Sequence, residues 1–267
     1  MSVVLPLSGF VIQARPSDGM GRLICYFRDG ADELFAFMKA YLAPGMTFVD
    51  VGANIGSHTI HGARLVTSSG KVFSFEAAPE TFEMLRNNVN LNAIENVTLY
   101  NACVADKESI VTFNISVNSA RSSLVRKGAF QKTLPAKTLD NLLPRGTPVD
   151  LLKIDVEGAE YLVLSGAKQL FKISPPGVVV IEMSSCQEEI KEFLLAHRYR
   201  LYRFDDIQKS LVEVESPSFN TYAIHDSVRE RISSRFRVVS VPGTKLSLEL
   251  SELEGAKKLE FRLHAFA

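Results

Sequence analysis

The residues best suited to chemistry begin at Phe48-Val49-Asp50-Val51-Gly52-Ala53-Asn54-Ile55-Gly56. An apolar run ending in Gly-x-x-x-Gly is the pattern of a strand that turns sharply into a helix and lets a ligand approach the backbone. A dinucleotide site would have a Gly-x-Gly-x-x-Gly turn. Asn54 stands where the middle glycine would be, so the turn suits a smaller ligand without a pyrophosphate. Asp50, near the strand end, is expected to be buried and therefore to need partners. Backbone N–H groups of the glycine turn, or the amino end of a ligand, would serve. Glu76 ends the next apolar run, about twenty residues after Gly56, the spacing of an acid that grips ribose hydroxyls. A carboxylate can accept from both hydroxyls of a vicinal diol. The competing reading of Glu76 is an exposed strand-end acid. Asp106 follows the third strand, where it meets an adenine amino group or simply turns a loop.

Three further acids, Asp155, Glu157 and Glu182, fall at the carboxyl ends of the next two strands. Ligands of open α/β sheets bind beyond those ends. Asp155 is assigned to the boundary between the two ligands of a transfer reaction, and Glu182 or Glu157 to proton acceptance from a hydroxyl nucleophile. Capping of the helix that starts near Ala159 is the alternative for Asp155 and Glu157. Three converging carboxylates could also hold Mg²⁺, although nothing in the spacing requires a metal. His58 opens the helix after the glycine turn and ranks below the carboxylates as a base. Arg121 and Ser123, in the polar stretch Asn118-Ser119-Ala120-Arg121-Ser122-Ser123, could hold an anionic or hydroxylated substrate.

Strands and helices alternate around these residues. Strands are read at 46–51, 71–75, 97–101, 150–154 and 177–183, and helices at 32–42, 57–66, 79–91, 159–171 and 188–197. Near-continuous apolar strands between helices indicate a parallel sheet covered on both faces. Residues 107–138 interrupt the alternation with short strands at 110–113 and 124–125, an insertion placed to cover a cleft. Two more strands are read at 199–204 and 219–224, with strand-like segments at 245–250 and 259–266. The expected organisation is a β-rich extension over 1–31, an α/β domain over 32–235 and a second β-rich extension over 236–267.

Taken together, the blocks resemble the FkbM-type methyltransferase family, a branch of the class I S-adenosylmethionine-dependent enzymes. The carrying segments are the Phe48–Gly56 run, Phe75-Glu76-Ala77-Ala78-Pro79, Leu139-Asp140-Asn141-Leu142-Leu143, Asp150-Leu151-Leu152-Lys153-Ile154-Asp155-Val156-Glu157-Gly158-Ala159-Glu160, and Val180-Ile181-Glu182, in the family's order. The likeness covers roughly residues 32–225. It implies a Rossmann-like sheet of seven strands, six parallel and one antiparallel, with helices on both faces. It also implies methyl transfer to a hydroxyl of a sugar or small metabolite. Asp50, Gly52, Ala53, Asn54, Gly56, Glu76 and Ala77 would bind S-adenosylmethionine, with Asp106 and Asp155 completing the site. The family often has Pro after the ribose acid; Ala77 stands there instead.

Lys+Arg and Asp+Glu balance at 30 each, so no net field draws the chain to nucleic acid or an anionic membrane. The three cysteines, Cys25, Cys103 and Cys186, form no Cys-x-x-Cys pair, read as small buried core residues, and fit a reducing cytoplasm. No leader is evident at the N-terminus, and no apolar run approaches bilayer length. The partner expected is a small-molecule or carbohydrate acceptor. Two rival readings stand beside methyl transfer: a nicotinamide-dependent oxidoreductase, which Asn54 counts against, and a binding module of the same fold without chemistry.

Overall fold

A computed structural model of the chain describes residues 2–7, 9–16, 21, 32–115, 124 and 130–239. Strands β1 (Val3–Leu7) and β2 (Phe10–Ala14) pair antiparallel as a small sheet. Helix α1 (Glu33–Tyr41) starts where the Asp32 side chain accepts from the Leu34 N–H, and stops ahead of Pro44-Gly45. Then come β3 (Thr47–Val51), α2 (Ser57–Val66), β4 (Lys71–Glu76), α3 (Pro79–Leu91) and β5 (Val97–Asn101). After β6 (Cys103–Val104), β7 (Ser109–Ile115) and β8 (Phe130–Lys137), the alternation resumes with α4 (Leu139–Leu142), β9 (Leu151–Ile154), α5 (Glu160–Ser165), α6 (Lys168–Ile173), β10 (Val178–Glu182) and α7 (Gln187–Ala196). The described chain ends with β11 (Tyr199–Asp205), β12 (Ser210–Glu213), β13 (Asn220–His225), α8 (Arg229–Ser233) and β14 (Arg237–Val239).

Nine strands form the main sheet in the order β14-β12-β11-β13-β10-β9-β3-β4-β5. The seven from β11 to β5 are the expected set: β3, β4, β5, β9 and β10 are parallel, β13 runs against them, and β11, antiparallel to β13, restores the common direction. The chain order reverses at β3, between β4 and β9, which opens a crevice beyond the carboxyl ends of those strands. Side chains alternate across the sheet. Phe48, Val72, Leu151, Val178 and Val180 pack with Phe37 and Met38 of α1 and Ala63 and Val66 of α2. Val49, Phe73, Leu152, Ile154, Val179 and Ile181 pack on the other face with Val163, Phe171, Ile190 and Leu194.

The structure departs from the sequence reading in five places. The helix expected over 159–171 is two helices: α5 ends at Gly166, and the Asp140 carboxylate accepts from the N–H groups of Gln169 and Leu170 at the start of α6. Strand β7 pairs with β8, a strand not read from the sequence: Ile110 pairs with Pro135 and Phe113 with Lys132. Leu124 lies in a bend. Strands β12 and β14 add to the seven expected; Asp205 accepts from the N–H groups of Ile207 and Gln208 and so turns β11 back into β12. Cys103 is buried but Cys186 is exposed at the start of α7, so it is not a core residue. Cys25, Arg121, Ser123, Val125 and the segments at 245–250 and 259–266 lie outside the described residues.

Candidate active site at the carboxyl edge of the sheet

The face that α1 and α2 cover is apolar in its middle and polar at its carboxyl edge. Two residues beyond Phe48 stands Asp50; beyond Val72 stand Ser74 and Glu76; beyond Leu151, Lys153; beyond Val180, Glu182. The strand period puts each of these on the face of its apolar predecessor. Register aligns them: Asp50 lies opposite Ser74 on one side and Lys153 on the other, and Glu182 opposite Asn220.

The glycine turn is held from below. The N–H groups of Gly52 and Ala53 both donate to the Phe75 carbonyl, at 3.0 Å each. Gly52 has φ +83 and passes so near β9 that a Cβ would lie 1.8 Å from the Asp155 carbonyl oxygen; no other residue fits. Asn54 takes φ 50, a left-handed conformation that asparagine tolerates, and its side chain accepts from the Ile55 N–H. Gly56 then leads into α2.

Asp50 is wholly buried, as expected, but its partners differ from those expected. The turn's N–H groups go elsewhere. The Thr59 hydroxyl of α2 donates to Oδ2 at 2.7 Å, and the Lys153 ammonium stands 3.3 Å from Oδ1, an ion pair that lies off the hydrogen-bond direction. Lys153 also donates to the Gly52 carbonyl at 3.0 Å and meets Asp155 Oδ2 at 3.2 Å. Burial works against its charge, but Asp155 and Asp50 hold the ammonium above its ordinary range.

It is Glu76 that takes the turn's free N–H. Its Oε2 accepts from Asn54 N at 2.9 Å and its Oε1 from Ala78 N at 2.8 Å. The side chain faces inward, not into solvent, and burial pushes its pKa up to about 7 despite those two bonds. Each oxygen keeps a lone pair for one more donor. The Asn101 amide donates to the carbonyls of Glu76 and Ala77, fixing the backbone beyond β4.

Asp155, Glu157 and Glu182 come together: one carboxylate oxygen from each lies within 4.8 Å of the others. Neither Asp155 nor Glu157 caps α5, whose N-cap is Ala159 with no side-chain bond. Glu157 takes φ 54 and Gly158 φ +107. That turn is held by Glu160, which accepts from Gly158 N at 2.7 Å and from the Ser184 hydroxyl, while Ser185 donates to the Gly158 carbonyl. Burial, then the negative charge of Asp155, pushes Glu182 up to about 8, with Lys153 pulling the other way. A group near that range can take and return a proton at neutral pH.

The remaining expected residues lie at the margins. His58 Nε2 sits 2.7 Å from Asp32 Oδ2, with its ring against Phe35, so its visible partner is the cap of α1. Asp106 is exposed beyond β6, on the loop that Gly166 approaches. Arg121 and Ser123 lie outside the described residues. Sequence reasoning passed over Lys153, Thr59, Asn101 and Asp32. A lysine inside Leu-Leu-Lys-Ile was the signal available for the first, since a charge in a two-face-buried strand needs a partner; the other three look like ordinary surface or helix residues.

Residues 50–207 match the methyltransferase FkbM domain. The chain is 31% identical over 121 residues to the hexuronic acid methyltransferase AglP of Haloferax volcanii, covering 44% of this chain and 48% of that protein. It is 29% identical over 156 residues to the methyltransferase sdnD of Sordaria araneosa, covering 45% and 60%. The chain thus spans roughly half the length of these curated relatives. Among solved structures, an S-adenosylmethionine-dependent O-methyltransferase of Thermotoga maritima superposes with a TM-score of 0.41 at 16% identity, covering 72% of this chain and 63% of that one. No helix among the described residues is long and apolar enough to cross a membrane.

Proposed function

The chain belongs to the FkbM methyltransferase family, and from that premise we propose that it methylates a hydroxyl oxygen of a small-molecule or sugar acceptor with S-adenosylmethionine. The observation that carries the reading is Glu76: a buried carboxylate at the tip of β4, bonded to the glycine turn and with capacity left for a diol. The bare backbone of Gly52 lets the turn close against the Asp155 carbonyl, which sets the glycine turn beside the acid assigned to the boundary of cofactor and acceptor.

In this reading Gly52, Ala53, Asn54 and Gly56 present backbone to the cofactor, Glu76 accepts from its ribose hydroxyls, Ala77 lies alongside with its carbonyl pinned by Asn101, and Asp106 lies at the adenine end. When bound, S-adenosylmethionine supplies a methyl group on a sulfonium, a cation that becomes a neutral thioether as the methyl leaves. The chain's own work is alignment and proton transfer. Asp155 borders cofactor and acceptor, and holding the two in line contributes several kcal/mol on its own. Glu182, beside it, takes the acceptor's hydroxyl proton; its raised affinity for protons suits that task, with Glu157 the alternative. The oxygens of the Asp155, Glu157 and Glu182 group would suit a hard cation, and the proposed proton transfer needs none.

The test is to incubate the protein with cell extract and isotope-labelled S-adenosylmethionine and to analyse the small-molecule and RNA fractions by mass spectrometry. Label on a hydroxyl oxygen of a metabolite or sugar is the expected result. Label on carbon, or only in RNA, overturns the acceptor class. Calorimetric binding of NADH in place of S-adenosylhomocysteine overturns the cofactor.

A further inference from the structure

Lys153 has no part in the reaction described so far. It stands in β9 among Leu151, Leu152 and Ile154, each 0% exposed, with paired strands on both sides. An ammonium there destabilises the fold unless its donors are met. The ammonium donates to the Gly52 carbonyl and stands as an ion partner of Asp155 at 3.2 Å and of Asp50 at 3.3 Å, the last off the hydrogen-bond direction. A sheet that only had to bury position 50 had a simpler solution. The Thr59 hydroxyl already serves Asp50, and an uncharged pair at 50 and 153 would leave no buried ions at all. The cation instead reaches past Asp50 to the floor of the glycine turn and to the acid at the end of its own strand.

Among the described residues, Asp50, Glu76, Asp155, Glu157 and Glu182 gather at this edge, and Lys153 contacts two of them. In the proposed reaction the sulfonium is charged in the reactant and neutral in the product. Carboxylates alone would stabilise the charged reactant more than the transition state, where that charge is fading, and binding of that kind slows the step. A fixed cation beneath the turn offsets it.

We propose that Lys153 is a positioning residue that fixes the Gly52 carbonyl and Asp155 and, through its buried charge, limits how strongly the site prefers the sulfonium cofactor to its neutral thioether product. The inference rests on the methyl-transfer reading. A variant that merely lost packing would weaken both ligands alike; a variant that lost the counter-charge separates them.

The experiment measures calorimetric dissociation constants for S-adenosylmethionine and S-adenosylhomocysteine with wild type, Lys153→Met, Asp50→Asn and the double variant, each checked for folding by circular dichroism. The ratio of the homocysteine constant to the methionine constant is expected to rise about tenfold in Lys153→Met. It should fall in Asp50→Asn and return to within about threefold of wild type in the double variant, whose site charge is unchanged. Should Lys153→Met not fold, the fall in Asp50→Asn and its reversal in the double variant decide the matter. Wild type that binds both ligands, with one ratio across all folded variants, overturns this inference alone. Wild type that binds neither ligand overturns the methyl-transfer reading, and this inference with it.

Discussion

The β3–β9 pair has a carboxylate at each end, and the two are provided for differently. At the amino end, Asp150 Oδ1 accepts from Arg231 of α8 at 3.1 Å and Oδ2 from Thr47 N at 3.0 Å. The Tyr41 hydroxyl donates to the Asp150 carbonyl, Arg231 donates to that hydroxyl in turn, and Arg235 donates to the Tyr41 carbonyl. Each carboxylate and carbonyl oxygen has its donor, although Arg231 Nε is left without a partner, and the result ties α1, α8 and two strands together. At the carboxyl end, among the described residues, the acids Asp50, Glu76, Asp155, Glu157 and Glu182 outnumber the one lysine that pairs with them. Lys153 stands between Asp50 and Asp155, and Glu76 and Glu182 rise to about 7 and about 8 under burial. Satisfied polar groups rigidify; groups left short of partners retain capacity to bind and exchange protons. The first edge therefore reads as stability and the second as chemistry.

Substitutions can break that contrast. The largest effect is expected at Glu182: Glu182→Gln should lower turnover by about 10²- to 10⁴-fold while leaving affinity for S-adenosylhomocysteine within about twofold. Unchanged turnover would pass the proton to Glu157, to be checked by Glu157→Gln. Next, Glu76→Ala should weaken S-adenosylhomocysteine by about 100-fold in calorimetry, through loss of charge-assisted bonds to the ligand and of support for the turn. Glu76 also predicts a pH dependence. Its carboxyl titrates near 7 and the ionised form is the better acceptor. Wild-type affinity should therefore hold above that pH and fall below it, by up to about tenfold per pH unit. Glu76→Gln should flatten the profile; a wild-type curve already flat between pH 5 and 8 would remove Glu76 from the ribose.

At the other edge the signs reverse. Asp150→Ala should destabilise folding by about 2–3 kcal/mol in urea titration, because it strands Arg231 and the Thr47 N–H, and should leave S-adenosylhomocysteine affinity unchanged. Weakened binding with unchanged stability would mean that the two edges are coupled, and that the division between stability and chemistry is wrong.

Much of this was open to the sequence, and the part that was not has a physical reason. Period and apolar content located β3, β4, β9 and β10, because strands buried on both faces leave little ambiguity, while the seven-stranded arrangement followed from the family resemblance. The site acids followed from strand ends, a position that any parallel sheet assigns. Pair identities did not follow. Whether Asn54 N donates to Asp50 or to Glu76 depends on two strands' heights relative to one turn, which spacing along the chain does not encode. The break at Gly166 was hidden for the same reason, since the Asp140 carboxylate that takes the first N–H groups of α6 is far away in sequence. Strand β12 is four residues long, lies between β11 and the short edge strand β14, and is defined by the Asp205 turn, with too little apolar pattern to register.

The smallest effect is expected at Asp32, which starts α1 on the carboxyl side beside His58. Its side chain caps α1 through Leu34 N at 2.8 Å and meets His58 at 2.7 Å, and is 37% exposed. Its pKa is lowered to about 2: burial opposes the shift, but the charge and hydrogen bond of His58 and the Leu34 N–H outweigh it. A lowered acid stabilises the fold above its unfolded pKa and ceases to as pH falls through the folded value. The stability gap between wild type and Asp32→Ala should accordingly be constant near neutrality and close as pH falls from 3.8 to about 2. At pH 7 that gap should be about 1 kcal/mol, or a melting-temperature drop of about 2–4 °C, most of it from the cap. Asp32→Asn separates the terms, because asparagine caps as well as aspartate but cannot pair ionically with His58. Melting close to wild type would leave the half-exposed pair contributing only a few tenths of a kcal/mol. The same variant addresses the lower-ranked base: if turnover is unchanged when His58 loses its carboxylate, the proton belongs to the acids at the strand ends, and His58 belongs with the cap that holds α1 over them.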